Sequence, residues 1–307
     1  MKRIAAFRGT LLISALITIF VCMPAAAADK LTRIADNVYS YVDVKNGSKD
    51  NSFGANAGII IGNDGVIVVD TLISAKEAKR FIKDIRAVTD KPVRYVVNTH
   101  YHLDHVFGNA EFVKLGAVVI AQENDKKMME KAAPGVLKNI AQYGLNAQDM
   151  AGTSAAYPTV TYGDRMTIDL GGQQVELIHA RYSHTSGDTL VYLRDKKILF
   201  AGDILFTNYH PFLGEGDINE WAKELDGIRA MDVEKIIPGH GPLSGKKDLE
   251  DMKTYILLFD RRAKELASLS GDVQAISAEL KRVLPARSEG AFLIPKNVEM
   301  KYVKKDR

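Results

Sequence analysis

Cysteine is almost missing from this chain: Cys22 is the only one, and it lies in a segment that reads as removable. A mature chain without cysteine has no disulfide, no thiolate metal ligand and no cysteine nucleophile. Its stability must rest on core burial, with metal binding the one staple left open. A surplus of either charge is missing too. Lys2, Arg3 and Arg8 are the only charged residues before Asp29, and without them 38 basic residues face 38 acidic ones. The sequence pI of 8.7 therefore belongs largely to the leader. No basic field remains to recruit nucleic acid, and the basic stretch from Lys301 to Arg307 reads as a solvated end. No G-x-S-x-G elbow occurs, so a serine-hydrolase triad has no support. Long apolar runs are scarce. The one candidate, Gly9 to Met23, is shorter than the ~20 residues of a spanning helix. It follows a basic start and precedes Pro24 and the alanines 25–28. That is the layout of a secretory signal peptide over residues 1–28. Ile19, Phe20 and Val21 before Cys22 do not look like a lipoprotein signal. The expected product is exported, to the periplasm or the medium, without stable membrane association after cleavage.

What is present is ordinary for a soluble globular protein: 46 % hydrophobic and 26 % charged residues. Apolar runs at 37–44, 57–62 and 66–70 read as strands, the last two joined at Asn63-Asp64-Gly65, a strong hairpin signal. Ser74 and Glu77 form a capping box, after which Ala78, Phe81, Ile82 and Ile85 share one helical face. Short strands are expected at Val93–Val97 and Ala117–Ala121, then helix over 123–143 interrupted at Pro134-Gly135. Residues 146–158 read as a loop. Strands resume at 160–162, 166–170 and 174–179, and a second hairpin joins 190–193 to 198–201 across Arg194–Lys197. Helices are expected over 218–230, around Met252 to Leu266, and over 273–283, with a strand at 233–237. Two groups of strands, each followed by helices, predict two packed sheets with helices outside. Residues 29–307 form one domain, compact to about 285 with a tail beyond.

All seven histidines lie between positions 100 and 240. The densest cluster is His100-Tyr101-His102-Leu103-Asp104-His105, directly after a buried strand. In extended backbone alternate side chains share a face, so His100 and His102 can approach one ion together. Asp104 and His105, at the turn into the next element, can reach a second. Imidazole with carboxylate suits zinc, and equally iron or manganese. Gly202 and Gly239 each precede a ligand-type residue at a strand end, where a Cβ would hinder close approach.

The H-x-H-x-D-H run resembles the hallmark of the metallo-β-lactamase superfamily, and four further motifs follow in the family's order. They are Asp70 after Val68-Val69, His184 in His-Thr-Ser-Gly-Asp, Asp203 in Phe-Ala-Gly-Asp, and His240 in Pro-Gly-His-Gly. The resemblance implies a four-layer αββα sandwich of the α/β class and two divalent metal ions, zinc in the first instance. One ion would be held by His100, His102 and His184, and the other by Asp104, His105 and His240. Asp203 would bridge them, and Asp70 would orient a ligand. An aspartate at 203 and the lack of cysteine make the chain look more like the glyoxalase II-like and general hydrolases than the β-lactamase branches. The implied reaction is hydrolysis of an activated acyl bond, thioester or lactone, with Asp104 as the catalytic carboxylate. The partner is then a small acyl substrate.

Other readings stay open. Export keeps β-lactam hydrolysis in view. Iron in such a site would support an oxidoreductase, and a non-catalytic metal-binding module is a third reading. His179 reads as structural, His210 as a substrate contact or a solvent-exposed loop residue, Tyr182 as pocket-lining or packed, and Trp221 as core. Loops 146–158 and 207–217 are expected to shape the pocket, with Arg181 the one obvious cation for an anionic substrate.

Overall fold

The computed structural model describes residues 30–303. Residues 1–28, read from the sequence as a signal peptide, lie outside the described residues. Seven strands form the first sheet in sequence order: β1 (Thr32–Ala35), β2 (Val38–Ser40), β3 (Gly58–Ile61), β4 (Val66–Val69), β5 (Val93–Val97), β6 (Val118–Gln122) and β7 (Val160–Tyr162). The pairing is antiparallel from β1 to β4 and parallel from β4 to β7. The second sheet contains β8 (Arg165–Asp169), β9 (Gln174–His179), β10 (Thr189–Leu193), β11 (Ile198–Phe206) and β12 (Lys235–His240), antiparallel except for the β11–β12 pair.

The run Val66-Ile67-Val68-Val69 shows why the sheets stack. It is apolar at every position because both faces of β4 are covered. Ile67 and Val69 point between the sheets, joining Ile60, Val97, Val191 and Phe200. Val66 and Val68 point outward onto Phe81 and Ile85 of α1 (Ala75–Val88). Ser74 caps that helix, its side chain accepting from Glu77 N–H at 3.3 Å. The second sheet turns Leu190, Tyr192 and Leu199 outward onto further helices. The order is helices, sheet, sheet, helices: the αββα sandwich expected from the sequence.

Short helices α2 (Leu103–Val106) and α3 (Asn109–Val113) follow β5. Next comes α4 (Glu123–Lys138), and on the other side lie α5 (Ile218–Ala230), α6 (Lys246–Ala267) and α7 (Val273–Val283). Three expectations need correction. First, α4 runs through Pro134, because Pro134 and Gly135 are exposed and water can satisfy the carbonyl that proline leaves unpaired. Second, β11 extends to Phe206, well past Ala201. Third, the chain after 285 is no tail. It forms α8 (Leu293–Asn297) and a π turn at Val298–Tyr302, with Ile294 and Val298 buried in the core. Asn297 holds the segment down, donating to Pro211 O at 2.8 Å and accepting from Leu213 N–H at 2.7 Å. Lys301, read as part of a solvated end, is half-buried and donates to Gly216 O. Among the described residues no helix is long and apolar enough to cross a membrane.

Candidate metal centre

The seven ligand-type residues expected from the sequence meet at one end of the sandwich. His100 follows β5, and His102 caps the start of α2, the helix that carries Asp104 and His105. His184 sits in the β9–β10 loop, Asp203 lies within β11, and His240 ends β12. Two donor groups result: His100, His102, His184 and Asp203 in one, and Asp104, His105 and His240 in the other, each with ligand atoms within 4.8 Å of one another.

Backbone approaches make two glycines obligatory here, one where the sheets meet and one between the paired strands β11 and β12. At Gly202, whose φ is +51°, a Cβ would lie 2.7 Å from the Thr99 side chain. At Gly239 it would lie 1.9 Å from Asp203 Oδ1. Any larger residue would push the Asp203 carboxylate off its position.

Asp203 faces both groups with one carboxylate. Its Oδ2 is 3.4 Å from His184 Nε2 and 3.7 Å from His100 Nε2. Its Oδ1 is 3.3 Å from His105 Nε2 and 3.5 Å from His240 Nε2. Asp104 Oδ2 completes the second group, 3.4 Å from His240 Nε2. His102 Nδ1 and His184 Nε2 converge to 2.9 Å.

The surroundings aim these atoms. Asp70, at φ +59°, accepts from Thr99 N–H at 2.8 Å and Thr99 Oγ1 at 2.7 Å. The same carboxylate lies 2.9 Å from His105 Nδ1, and Thr99 Oγ1 is 3.1 Å from His100 Nδ1. With both Nδ1 atoms engaged, the Nε2 atoms of His100 and His105 are buried without a hydrogen-bond partner. Asp203 Oδ1 is orphaned in the same way. Buried polar atoms are normally paired, so an orphaned set converging on one point is what a bound cation would satisfy. The residues fit divalent metal.

The electrostatics agree. Burial and the neighbouring His105 hold His100 well below the usual histidine range, and burial takes His184 down to about 3, so both present neutral lone pairs. Burial opposes charge on His105 and His240 as well, but the Asp203 and Asp104 carboxylates overcome it. His105 is held well above its usual value and His240 rises to about 9. A field that retains positive charge on buried imidazoles is one in which metal cations can replace protons.

Other residues beside the donors, Glu215 and Asp188 among them, were not singled out from the sequence. Glu215 lies in the loop before α5, with Oε1 3.6 Å from His102 Nε2, and accepts from the Tyr101 hydroxyl. Against the effect of burial, those contacts hold its carboxyl down at about 2. Asp188 accepts from the backbone N–H of His184 and of Thr185, each at 2.8 Å, and so shapes the loop presenting His184. That second contact was traceable in the sequence, as an aspartate closing a His-Thr-Ser-Gly-Asp turn. Trp221 is core, as expected, and its ring also braces His184 at 5.3 Å.

Several candidates lie apart. His179 is half-buried, its Nε2 3.3 Å from Ser186 O. His210 is not solvent-exposed: it is buried with Nδ1 2.5 Å from the Tyr255 hydroxyl, and it is not among the residues that line the cleft beside the donors. Tyr182 is 48 % exposed and donates to Glu215 O. A cleft of about 580 Å³ opens beside the donors. It is lined by part of the 207–217 loop as expected, but by residues from α4 and the C-terminal segment in place of 146–158. The cation on its wall is Lys296, and Arg181 is not among the lining residues.

Comparison with known proteins agrees with this geometry. Residues 51–240 match the family model of the metallo-β-lactamase superfamily. The chain is 27 % identical over 223 residues to a linear primary-alkylsulfatase of Pseudomonas sp. (strain ATCC 19151); the match covers 62 % of this chain but only 42 % of that protein. It is 22 % identical to a type 2 metallo-β-lactamase of Bacteroides fragilis, over 74 % of this chain and 84 % of that one. Among solved structures, a stereoselective inverting sec-alkylsulfatase from Pseudomonas sp. superposes with TM-score 0.65 at 20 % identity, over 90 % of this chain and 50 % of that one. A metallo-β-lactamase from Pontibacter korlensis gives TM-score 0.59 at 20 % identity, over 74 % and 98 %. The family match contains every one of the seven donors, from the cluster at 100–105 to the strand-end histidine at 240, and by it this chain belongs to the metallo-β-lactamase superfamily of metal-dependent hydrolases.

Proposed function

We propose that the chain is an exported hydrolase of activated acyl bonds, thioester or lactone, working with two divalent ions, zinc in the first instance and iron or manganese compatible. The observation that carries this reading is the division of one carboxylate: Asp203 Oδ2 faces His100 and His184 while Oδ1 faces His105 and His240. Two ions so held would supply Lewis acidity and bring the pKa of water down to about 7.

The chain's own residues do the rest. Asp104 is 13 % exposed by its side chain and lines the cleft, where it can orient the attacking water and pass a proton to the leaving group. Asp70 and Thr99 keep His105 and His100 in the tautomers that leave Nε2 free. Phe206 stacks on the His240 ring at 5.0 Å and fixes its orientation. Phe107, Phe206 and Phe212 line the cleft and keep bulk water from the reacting bond.

Asp203 adds negative charge between the ions and makes the pair less electrophilic. A thiolate or alkoxide leaving group tolerates that better than an amide nitrogen does. The relatives named for β-lactams and alkyl sulfates supply the competing substrates. The test compares kcat/KM for a thioester, an aryl lactone, a cephalosporin and an alkyl sulfate under one metal condition. The thioester or lactone should lead. A β-lactam or sulfate ester ahead by tenfold, about 1.4 kcal/mol in transition-state stabilisation, would overturn the acyl assignment.

A further inference from the structure

The cleft beside the donor groups is much more apolar than the chemistry at its floor requires. From α4 it is lined by Ala132, Ala133 and Val136, and from the C-terminal segment by Phe292, Leu293 and Met300. Tyr143, Phe292 and Met300 there remain 40 %, 54 % and 45 % exposed. Large apolar side chains left in water around one concavity mark a surface that something apolar covers. Phe292 is also held in place, its ring 6.3 Å from that of Phe53. Polar groups outside the donor set are a minority: Gln142, the hydroxyls of Tyr101, Tyr143 and Tyr209, Glu215 and Lys296. Glu215 is engaged by Tyr101 and His102, and Lys296 lies 4.0 Å from Glu299. The lining therefore offers little to a peptide-like or sugar-like arm, whose polar atoms would go unpaired.

We propose that the substrate carries an aliphatic or aryl hydrocarbon arm, seated between α4 and the C-terminal segment with the scissile bond at the donor groups. Phe292, Leu293 and Met300 set the selectivity for that arm. This rests on the hydrolytic reading above and extends it to the part of the substrate remote from the reacting bond. The volume of about 580 Å³ lies in the range of small-molecule sites, about 300–1,000 Å³. The segment after residue 285 then acts as a specificity wall. Its anchoring through Asn297 to Pro211 and Leu213 ties that wall to the loop carrying Phe212 and Glu215.

The test uses the mature, metal-loaded protein and a series of thioesters of one thiol, from acetyl to decanoyl. The specificity constant should rise by about fourfold per added methylene until the cleft is filled. Ala132→Trp, which fills the cleft, should flatten that rise, and Phe292→Ala should reduce it. Leu269→Ser, at an 84 % exposed site outside the cleft, should leave the profile unchanged. Circular dichroism and metal content establish that each variant is folded and loaded. Calorimetry with decanoate and acetate gives a readout independent of turnover, since both carry one carboxylate and differ only in the arm. Decanoate should bind more tightly, with a negative heat-capacity change. If no thioester turns over while decanoate still binds more tightly, the acyl assignment fails and the arm site stands. A flat chain-length profile, or equal binding of the two acids, overturns the present proposal.

Discussion

Asp70→Asn should cost the centre metal without costing the protein its fold. Asparagine is close to isosteric with aspartate and tolerates the left-handed backbone at 70, φ +59°, so the chain trace survives. The change falls on Oδ2, which receives Thr99 Oγ1 at 2.7 Å and lies 2.9 Å from His105 Nδ1. With the amide oxygen kept toward Thr99 N–H, an NH2 group replaces Oδ2 and confronts two donors with a third. His105 can accept that hydrogen only by giving up the proton on Nδ1 and carrying it on Nε2, the atom that faces Asp203. His100 is disturbed through Thr99, whose Oγ1 lies 3.1 Å from its Nδ1. Removing such an outer partner typically costs 10–100-fold in metal affinity. Two coupled ligands place this site at the upper end, about 100-fold or near 2.7 kcal/mol. Competition with a chromogenic zinc chelator measures the affinity, and long-range proton–nitrogen spectra report the His105 tautomer. Wild-type affinity and stoichiometry in Asp70→Asn, with Nδ1 still protonated, would refute the reasoning.

Asp203→Ala should lower metal occupancy and cut turnover by orders of magnitude, while His179→Ala should do neither; full occupancy with near-normal turnover in the first would sink the bridging role. His210 titrates at about 4, below its ordinary 6.5, because it is buried with Arg287 and Lys281 nearby. Between those values the unfolded chain binds the extra proton, so its stabilising share is complete above pH 6.5 and lost as pH falls toward 4. Wild type minus His210→Gln, followed by urea unfolding, should show up to about 1.4 kcal/mol per pH unit across that window, and a flat difference would reject it. If the proposed export holds, protein recovered from the exported fraction should begin at Asp29 by intact mass, whereas full-length protein held in membranes would contradict cleavage.

Much of this protein was legible residue by residue because the signals are local. The Asn63-Asp64-Gly65 turn joins β3 to β4, and Arg194–Lys197 joins β10 to β11, since turn chemistry is settled within a few residues. Ser74 caps α1 for the same reason. The ligand-type residues were visible because imidazole and carboxylate beside glycine at strand ends have few structural uses. The stacked sheets followed from two groups of strands, each with helices after it. What the tertiary structure decided is everything that depends on distant segments meeting. Glu215 faces His102 only because a loop folds back across the site, and its own neighbours, Gly214 and Gly216, carry no trace of that. His210 and Pro134 were misread because burial and solvent access belong to the surroundings and not to the residue type. The chain after 285 read as a tail because its apolar stretches are short and lie between Pro285, Pro295 and a basic end. Docking on the 211–213 loop makes it a wall of the cleft, and no local pattern encodes a contact with residues more than eighty positions away.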